Sequence, residues 1–321
     1  MKTVTKHLKQ LYMNNGAFVY LICLMVIAAI FVPQFLSISN FEGLLKQWAV
    51  PAIICVGMCF ILITGGIDLS MGYVCAFAAM LTGVLLKFYG LNPYLGILIG
   101  IIAGMLFGLF NGVVICYLRV PPFVATLGSG YIAYGLAQIV SAARSINRLP
   151  AEFMEFGTAR VIGSLPVMVF IAVAIVIIGY ILMNRTTYGR NLKYIGYNEQ
   201  ASRISGVKIG RIKCITYICS GMLAGIAGLF LTMRTGAAAP TLGGSAMPFE
   251  AVTACVIGGA LLSGGFSPII GSALGVLILK VIENCINLLN LSTYIYDAVL
   301  SIVVFIAIIV ESLKKRRLSL Y

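Results

Sequence analysis

Ten apolar runs, at about 17–36, 45–64, 71–88, 94–118, 122–142, 164–183, 212–233, 250–263, 268–289 and 293–311, follow one another with little polar sequence between them. About twenty apolar residues carry a helix across the roughly 30 Å hydrocarbon core of a bilayer. A soluble core cannot absorb so many: the 321 residues are 61% hydrophobic and 10% charged, with a mean hydropathy of +1.05. The solvent is therefore lipid, and residues 1–321 read as one all-α membrane domain of about ten spans.

The net charge of +13 does not mark a nucleic-acid surface, because the cations sit at the ends of the runs and not on one face. An even number of spans puts both termini on one side. That side carries 15 Lys and Arg, in the two tails, at Arg119 and in the 184–213 segment. The other side carries 6: Lys46, Lys87, Arg144, Arg148, Arg160 and Arg234. Lys and Arg resist translocation, so the cation-rich side is expected to be cytoplasmic. The apolar run from about Ala17 is followed by no small-x-small cleavage site and reads as a retained first span.

Segment 184–213, NRTTYGRNLKYIGYNEQASRISGVKIGRIK, is the long polar interruption. Its middle reads as a short helix, with Asn198 as N-cap, Glu199 in the first turn and Gly206 as the stop. A capped helix on a cytoplasmic loop is a docking element for a soluble partner. The alternative is a solvated basic connector.

The nine cysteines form no CxxC, and His7 is the only histidine. No zinc or iron–sulfur set can be written from that spacing, so no metal is expected and the cysteines read as small hydrophobes.

Between Glu250 and the glycine pairs Gly258-Gly259 and Gly264-Gly265 there is helix for only roughly 20 Å. The preceding GAAAPTLGGSAMPF is rich in Gly, Ala and Pro. Region 236–267 is therefore expected to be broken or re-entrant, which lipid tolerates only where the backbone is buried in protein or lines a cavity. It also contains half of an internal repeat. ITGGIDLSMGYV (63–74) and VIGGALLSGGFS (256–267) align without gaps, pairing Gly65 with Gly258, Gly66 with Gly259 and Ser70 with Ser263. Duplicated broken hairpins point to a substrate path.

The candidate path residues are Gly65, Gly66, Asp68, Ser70, Gly258, Gly259, Ser263 and Gly264, together with Asn111, Thr126, Glu283, Asn284 and Asn287. Asp68 reads either as a cap in a cytoplasmic turn or as a carboxylate at the inner mouth. Lys280 and Glu283, three apart on a helix, either neutralise each other or face a polar cavity, and Asn284 and Asn287 extend that face. Asn111 and Thr126 read equally as packing between helices. Trp48 is expected to anchor a span at the outer interface.

ITGGIDLSMG (63–72), PPFVATLG (121–128), GRNLKYIGYNEQASRISGV (189–207) and IGGALLSGGFSPIIGSALGVLI (257–278) resemble, in order and over nearly the whole chain, the permease subunits of ribose-type ABC importers. That family carries ribose, xylose, arabinose, galactosides and autoinducer-2, and is distantly similar to branched-chain amino-acid and nucleoside permeases. The resemblance implies a bacterial inner-membrane permease in the fold of the vitamin-B12 importer, dimeric, with a cytoplasmic ATPase that holds ATP and Mg²⁺ and an extracytoplasmic sugar-binding protein. Coupling to that ATPase is expected through the capped loop helix, at Gly196, Asn198, Glu199, Ala201, Arg203 and Gly206. The chain has no GxxxxGK[ST] phosphate loop, so it hydrolyses no ATP by that chemistry and is expected to be neither an enzyme nor a cofactor binder. Lys280 and Glu283 depart from the small or amide residues usual in the family. The expected cargo is a pentose or hexose, with autoinducer-2, a polyol, a nucleoside or a branched-chain amino acid as alternatives. A self-contained secondary transporter would need more carboxylates within spans than Glu283, Asp297 and Asp68.

Overall fold

Helix α2 (Ile38–Leu62) lies at the centre of the molecule, with residues 49–63 almost wholly excluded from solvent apart from Pro51. Four helices pack around it: α7 (Val167–Arg185), α10 (Ile209–Thr235), α11 (Ala246–Ile257) and α12 (Ile269–Leu288), and α3 (Met71–Phe88) packs on α10. Helices α4 (Pro93–Cys116) and α5 (Pro122–Ser141) lie outside α3 and α10, and α1 (Lys2–Phe31) lies against α12. This computed structural model describes residues 2–292, 294–302, 305, 306 and 309, with side chains from Gly16 onward. The expected tenth span, 293–311, is described in part, as helix at 294–302, 305, 306 and 309, and the C-terminal cations fall outside the described residues.

Among the described residues, seven helices, α2, α3, α4, α5, α7, α10 and α12, are long and apolar enough to cross a membrane. The apolar part of α1, Gly16–Phe31, and α11, with 12 residues, are shorter. α3 matches the expected 71–88 run, whereas the eighth run, 250–263, is replaced by the shorter α11 and a turn. Helix starts follow local chemistry. Ser37 and Asn92 accept a backbone N–H at the heads of α2 and α4, and Pro93 and Pro122 occupy first-turn positions where a missing N–H costs nothing. Outward-facing Leu95, Leu98, Ile102, Leu106 and Leu109 on α4 give it a continuous apolar face suited to lipid.

The opposite face of α4 carries Gly96, Gly100, Gly104, Gly108 and Gly112, every fourth residue. Three of these meet the α10 backbone: a Cβ on Gly104 would strike the Gly221 carbonyl, one on Gly108 the Tyr217 carbonyl, and one on Gly112 the backbone of Cys214. In lipid no hydrophobic force joins two apolar helices, so close approach through small residues supplies the attraction.

One end of the bundle is elaborated by α6 (Ala151–Thr158) and two short antiparallel ribbons. The strand β1 (Ile146–Asn147) pairs with β4 (Ala237–Ala238), and β2 (Arg160–Ile162) with β3 (Leu165–Pro166). Lys87 donates to the Asn147 carbonyl at 2.7 Å, Lys46 to Ser164 at 3.1 Å, and Arg234 to the Lys46 carbonyl at 3.3 Å. Cations assigned to one side by the charge count thus gather at one end. The 184–213 segment is at the other.

Gly104→Leu is expected to force α4 and α10 apart and destabilise the protein by roughly 1–3 kcal/mol or more, the usual cost of overpacking. Gly128→Leu, where a Cβ meets nothing within 4 Å, should be neutral. Thermal unfolding in detergent compares them, and equal transitions would contradict this packing.

Candidate functional site

Three groups of residues line up along the bundle. The first is a junction at the end bearing the 184–213 segment. Past α2 the chain turns at Gly65, whose φ of +74° suits glycine, and the Ile63 carbonyl accepts the Gly265 N–H at 2.8 Å. Gly264 packs on Gly65, since its Cβ would lie 2.9 Å from the Gly65 nitrogen, and the Ser263 carbonyl lies beside Gly65 as well. Into this contact comes Gly196, in the last turn of α8 (Thr187–Tyr197): a Cβ there would collide with the Ile63 carbonyl and the Gly265 nitrogen. The ring of Tyr197 covers Gly265. Both repeat turns and the polar loop therefore meet at one point.

The repeat is not conformationally equivalent. Gly65 is left-handed, but its counterpart Gly258 has φ −67°, and the left-handed residues in the second copy are Gly259 at +98°, Gly264 at +91° and Gly265 at +85°. Gly258 is constrained instead by close approach, because a Cβ would meet the backbone of Gly271 and Ser272. A Cβ on Gly66 would come 2.8 Å from the Tyr217 hydroxyl.

The second group is a buried polar network. Residues 66–70 are non-helical and lead into the bundle before α3 begins. Asp68, 1% exposed, accepts from the Ser70 N–H (3.0 Å), the Ser70 hydroxyl (2.6 Å) and the Ser220 hydroxyl (2.7 Å). Asn111 donates to the Ser70 oxygen at 2.9 Å, and Thr126 accepts the Leu69 N–H at 3.1 Å. Ser220 lies eleven residues past the start of α10, roughly 16 Å at 1.5 Å per residue. Asp68 is thus inside the bundle and not in a turn at the inner mouth. It caps α3 by accepting Ser70 N–H, while Ser70 itself makes no side-chain cap. Asn111 and Thr126, each ambiguous alone, both hold this unwound segment. The sequence reading missed Ser220, whose only signal is a hydroxyl beside Gly221 on the face of α10 that α4 approaches.

The third group lines a cavity of about 560 Å³ toward the opposite end, between α2, α10, α11 and α12. Its charged members are Arg234, Glu250, Lys280 and Glu283, two of each sign, with Gln47, Thr241 and Asn287 adding neutral polar groups. Lys280 lies 2.7 Å from both Glu250 and Glu283, and Tyr296 donates to Glu250 at 3.0 Å. The pairing with Glu283 follows from helical spacing. Glu250 comes from another helix and was missed. Asn284 departs from expectation: it exchanges amide hydrogen bonds with Asn40 at 2.8 and 3.1 Å and does not line the cavity. Trp48 also differs, since its indole donates to the Ala273 carbonyl at 2.9 Å and ties α2 to α12.

The loop before α11 dips inward. Its tip, Gly243-Gly244, lines the cavity, and a Cβ on Gly72 would collide with the Gly244 carbonyl. Gly72 follows Ser70 by two residues, so cavity and buried network stand back to back.

The polar loop is stiffer than a connector. After α8, helix α9 (Glu199–Ile204) is capped by Asn198, which accepts the Ala201 N–H at 2.9 Å, and the chain leaves through Gly206 at φ +78°. Glu199 bonds Lys213 at 2.7 Å, fixing α9 to the head of α10, and this hydrogen bond holds its carboxyl below the usual range. Its contact with Arg203, at 3.5 Å, is exposed and weak. Tyr194, Tyr197 and Ile204 leave apolar surface in the open. The remaining surprise is that Cys55, Cys59 and Cys255 gather, though sequence spacing offers no metal set.

Ser220→Ala should cost about 1–3 kcal/mol by removing a donor to a buried carboxylate. Ser129→Ala, which removes a bond only to the Thr126 carbonyl in its own helix, should cost less. Equal thermal shifts would deny Asp68 its place in the network.

The family described as "Branched-chain amino acid transport system / permease component" matches residues 40–309. The ribose import permease protein RbsC of Bacillus subtilis (strain 168) is 36% identical over 311 residues, covering 96% of this chain and 95% of the relative. The L-arabinose transport system permease protein AraH of Escherichia coli (strain K12) is 35% identical over 303 residues, covering 94% and 91%. The D-allose transport system permease protein AlsC of the same strain is 32% identical over 302 residues, covering 93% and 91%.

Proposed function

The chain belongs to the branched-chain amino acid transport system permease family, and on that premise we propose that it is the translocating subunit of an ATP-driven sugar importer. Full-length similarity to permeases named for ribose, L-arabinose and D-allose supports that cargo class. The observation that carries the mechanism is the row of cavity, buried network and junction, with the loop's Gly196 seated in the junction. In this reading the chain spans a bacterial inner membrane about ten times in the vitamin-B12-importer fold. Both termini are cytoplasmic, as the cation bias favours.

A cytoplasmic ATPase supplies ATP hydrolysis, a binding protein delivers sugar, and a second copy of the permease completes a homodimer. The ATPase grips α9 and the exposed Tyr194, Tyr197 and Ile204. When its nucleotide sites close, α8 pushes the two glycine turns through a contact that has no side chain to yield. The non-helical segment anchored by Asp68 shifts with them, and access passes from the cavity to the inner face. Carboxylate, ammonium and guanidinium groups in the cavity can accept from and donate to sugar hydroxyls.

A second reading rests on those same charges. Two cations and two carboxylates in one cavity also suit the ammonium and carboxylate of an amino acid, the cargo in the family's description.

The test is uptake by the permease reconstituted with its ATPase and binding protein, using labelled ribose, arabinose, allose and leucine. One of the three sugars should be taken up and leucine refused. Glu199→Lys and Gly196→Val should each lower sugar-stimulated ATP hydrolysis roughly tenfold, within the range that coupling free energies of 1–3 kcal/mol give. Leucine uptake without sugar uptake would transfer the assignment to the second reading. Normal coupling in both variants would remove the loop from the mechanism.

A further inference from the structure

Cys55 and Cys59 lie one turn apart on α2 and face Cys255 on α11. The sulfurs of Cys55 and Cys59 are each 3.5 Å from that of Cys255, and all three lie within 4.8 Å of one another. All three residues are at most 1% exposed, and the other buried thiols, Cys75 and Cys214, are not part of the group. Beside it are the buried hydroxyls of Ser267 and Ser272, within reach of the Cys59 sulfur and with no other hydrogen-bond partner among the described residues. Three soft donors with two hydroxyls beside them make a ligand set with an outer shell.

We propose that Cys55, Cys59 and Cys255 bind a soft monovalent metal cation of the Cu(I) class, bridging α2 to α11 behind the inner junction. Thiol and thiolate donors select such ions. A metal centred among three sulfurs at about 2.3 Å, the usual metal–thiolate length for zinc, sets them about 4 Å apart. The triangle therefore needs to open by only a few tenths of an ångström.

Charge decides the valence. As one S–H bond breaks and one S–metal bond forms, a single proton leaves, and the other two sulfurs coordinate as neutral thiols. The filled site then remains uncharged in apolar surroundings, where net charge is costly. Zinc would demand a fourth ligand. No electron is transferred.

Access is from the junction end. Cys59 lies three residues before the end of α2 and Cys255 two before the end of α11. The 258–268 turn follows α11 directly, with Leu261 and Phe266 exposed on it. A metal here would clamp the two helices whose ends carry the Ile63–Gly265 bond.

The test uses the full-length, reduced protein in detergent, titrated with Cu(I) against a chromophoric chelator, with X-ray absorption to count sulfur neighbours. One Cu(I) per chain with sulfur as its near neighbours is expected. Cys255→Ser and Cys59→Ser should each weaken binding at least about a hundredfold, and Ser267→Ala about 10–100-fold, as outer-shell losses do. Cys23→Ser, on an exposed thiol, should change nothing. Circular dichroism identifies any variant that has not folded, and the other cysteine variant then carries the comparison. A wild-type chain without a one-equivalent site, or wild-type affinity in a folded Cys255→Ser or Cys59→Ser, would overturn the proposal. Neither result depends on the cargo, so the transport reading stands or falls separately.

Discussion

A polypeptide that leaves helical geometry inside lipid has no water to satisfy it, so each exposed peptide group must find another within the protein. This chain breaks helix twice within its bundle, after α2 and after α11, and the bond from Gly265 N–H to the Ile63 carbonyl is where one break satisfies the other. The rest of the arrangement follows from making that possible. α2 must be central so that its end is enclosed. The turns must be glycine-rich so that two backbones and then a third, at Gly196, come within touching distance.

The buried network extends the same logic deeper. The non-helical stretch 66–70 interrupts the helices, and its peptide groups need partners within the bundle. Thr126 takes the Leu69 N–H, and Asp68 takes that of Ser70 and is itself held by Ser220. A carboxylate there is expensive, and it is retained because it fixes the start of α3 against α10. The ion pairs of the cavity differ in kind. They link α11 to α12 through Lys280 and stand at a wall that solute can reach. They can exchange partners, whereas Asp68 cannot without releasing α3.

Much of this was legible before any coordinates. The apolar runs placed α3 to the residue and most other spans within a few, since hydropathy reports where lipid begins. Asn198 and Gly206 bounded α9 because capping is local chemistry. Contacts between distant segments were not legible. Glu250 joins Lys280, and Cys255 joins Cys59, only once α11 has packed on α2 and α12. Asn284 and Asn287 were read as one face. Three residues of helix turn the chain about 60° from register, enough to send one toward Asn40 and the other into the cavity. The depth of Asp68 was hidden because its partner Ser220 lies 152 residues away on α10. The glycine comb on α4 was in plain view at every fourth position, and its missed meaning lay in the helix opposite. The aligned glycines of the repeat misled, because similarity of sequence did not preserve which glycine is left-handed.

The account rests on the loop and the two turns moving as one body. Distances between site-specific labels at Ile204 and Leu261, both outward-facing, measure this in the assembled transporter with and without ATP. A second pair, Ile204 and Ile139, reports movement of the loop against the far end of the bundle. The Ile204–Leu261 distance should stay constant while the second distance changes with nucleotide. A change in the first as large as in the second would mean that the loop slides over the turns, and that the contact at Gly196 transmits nothing.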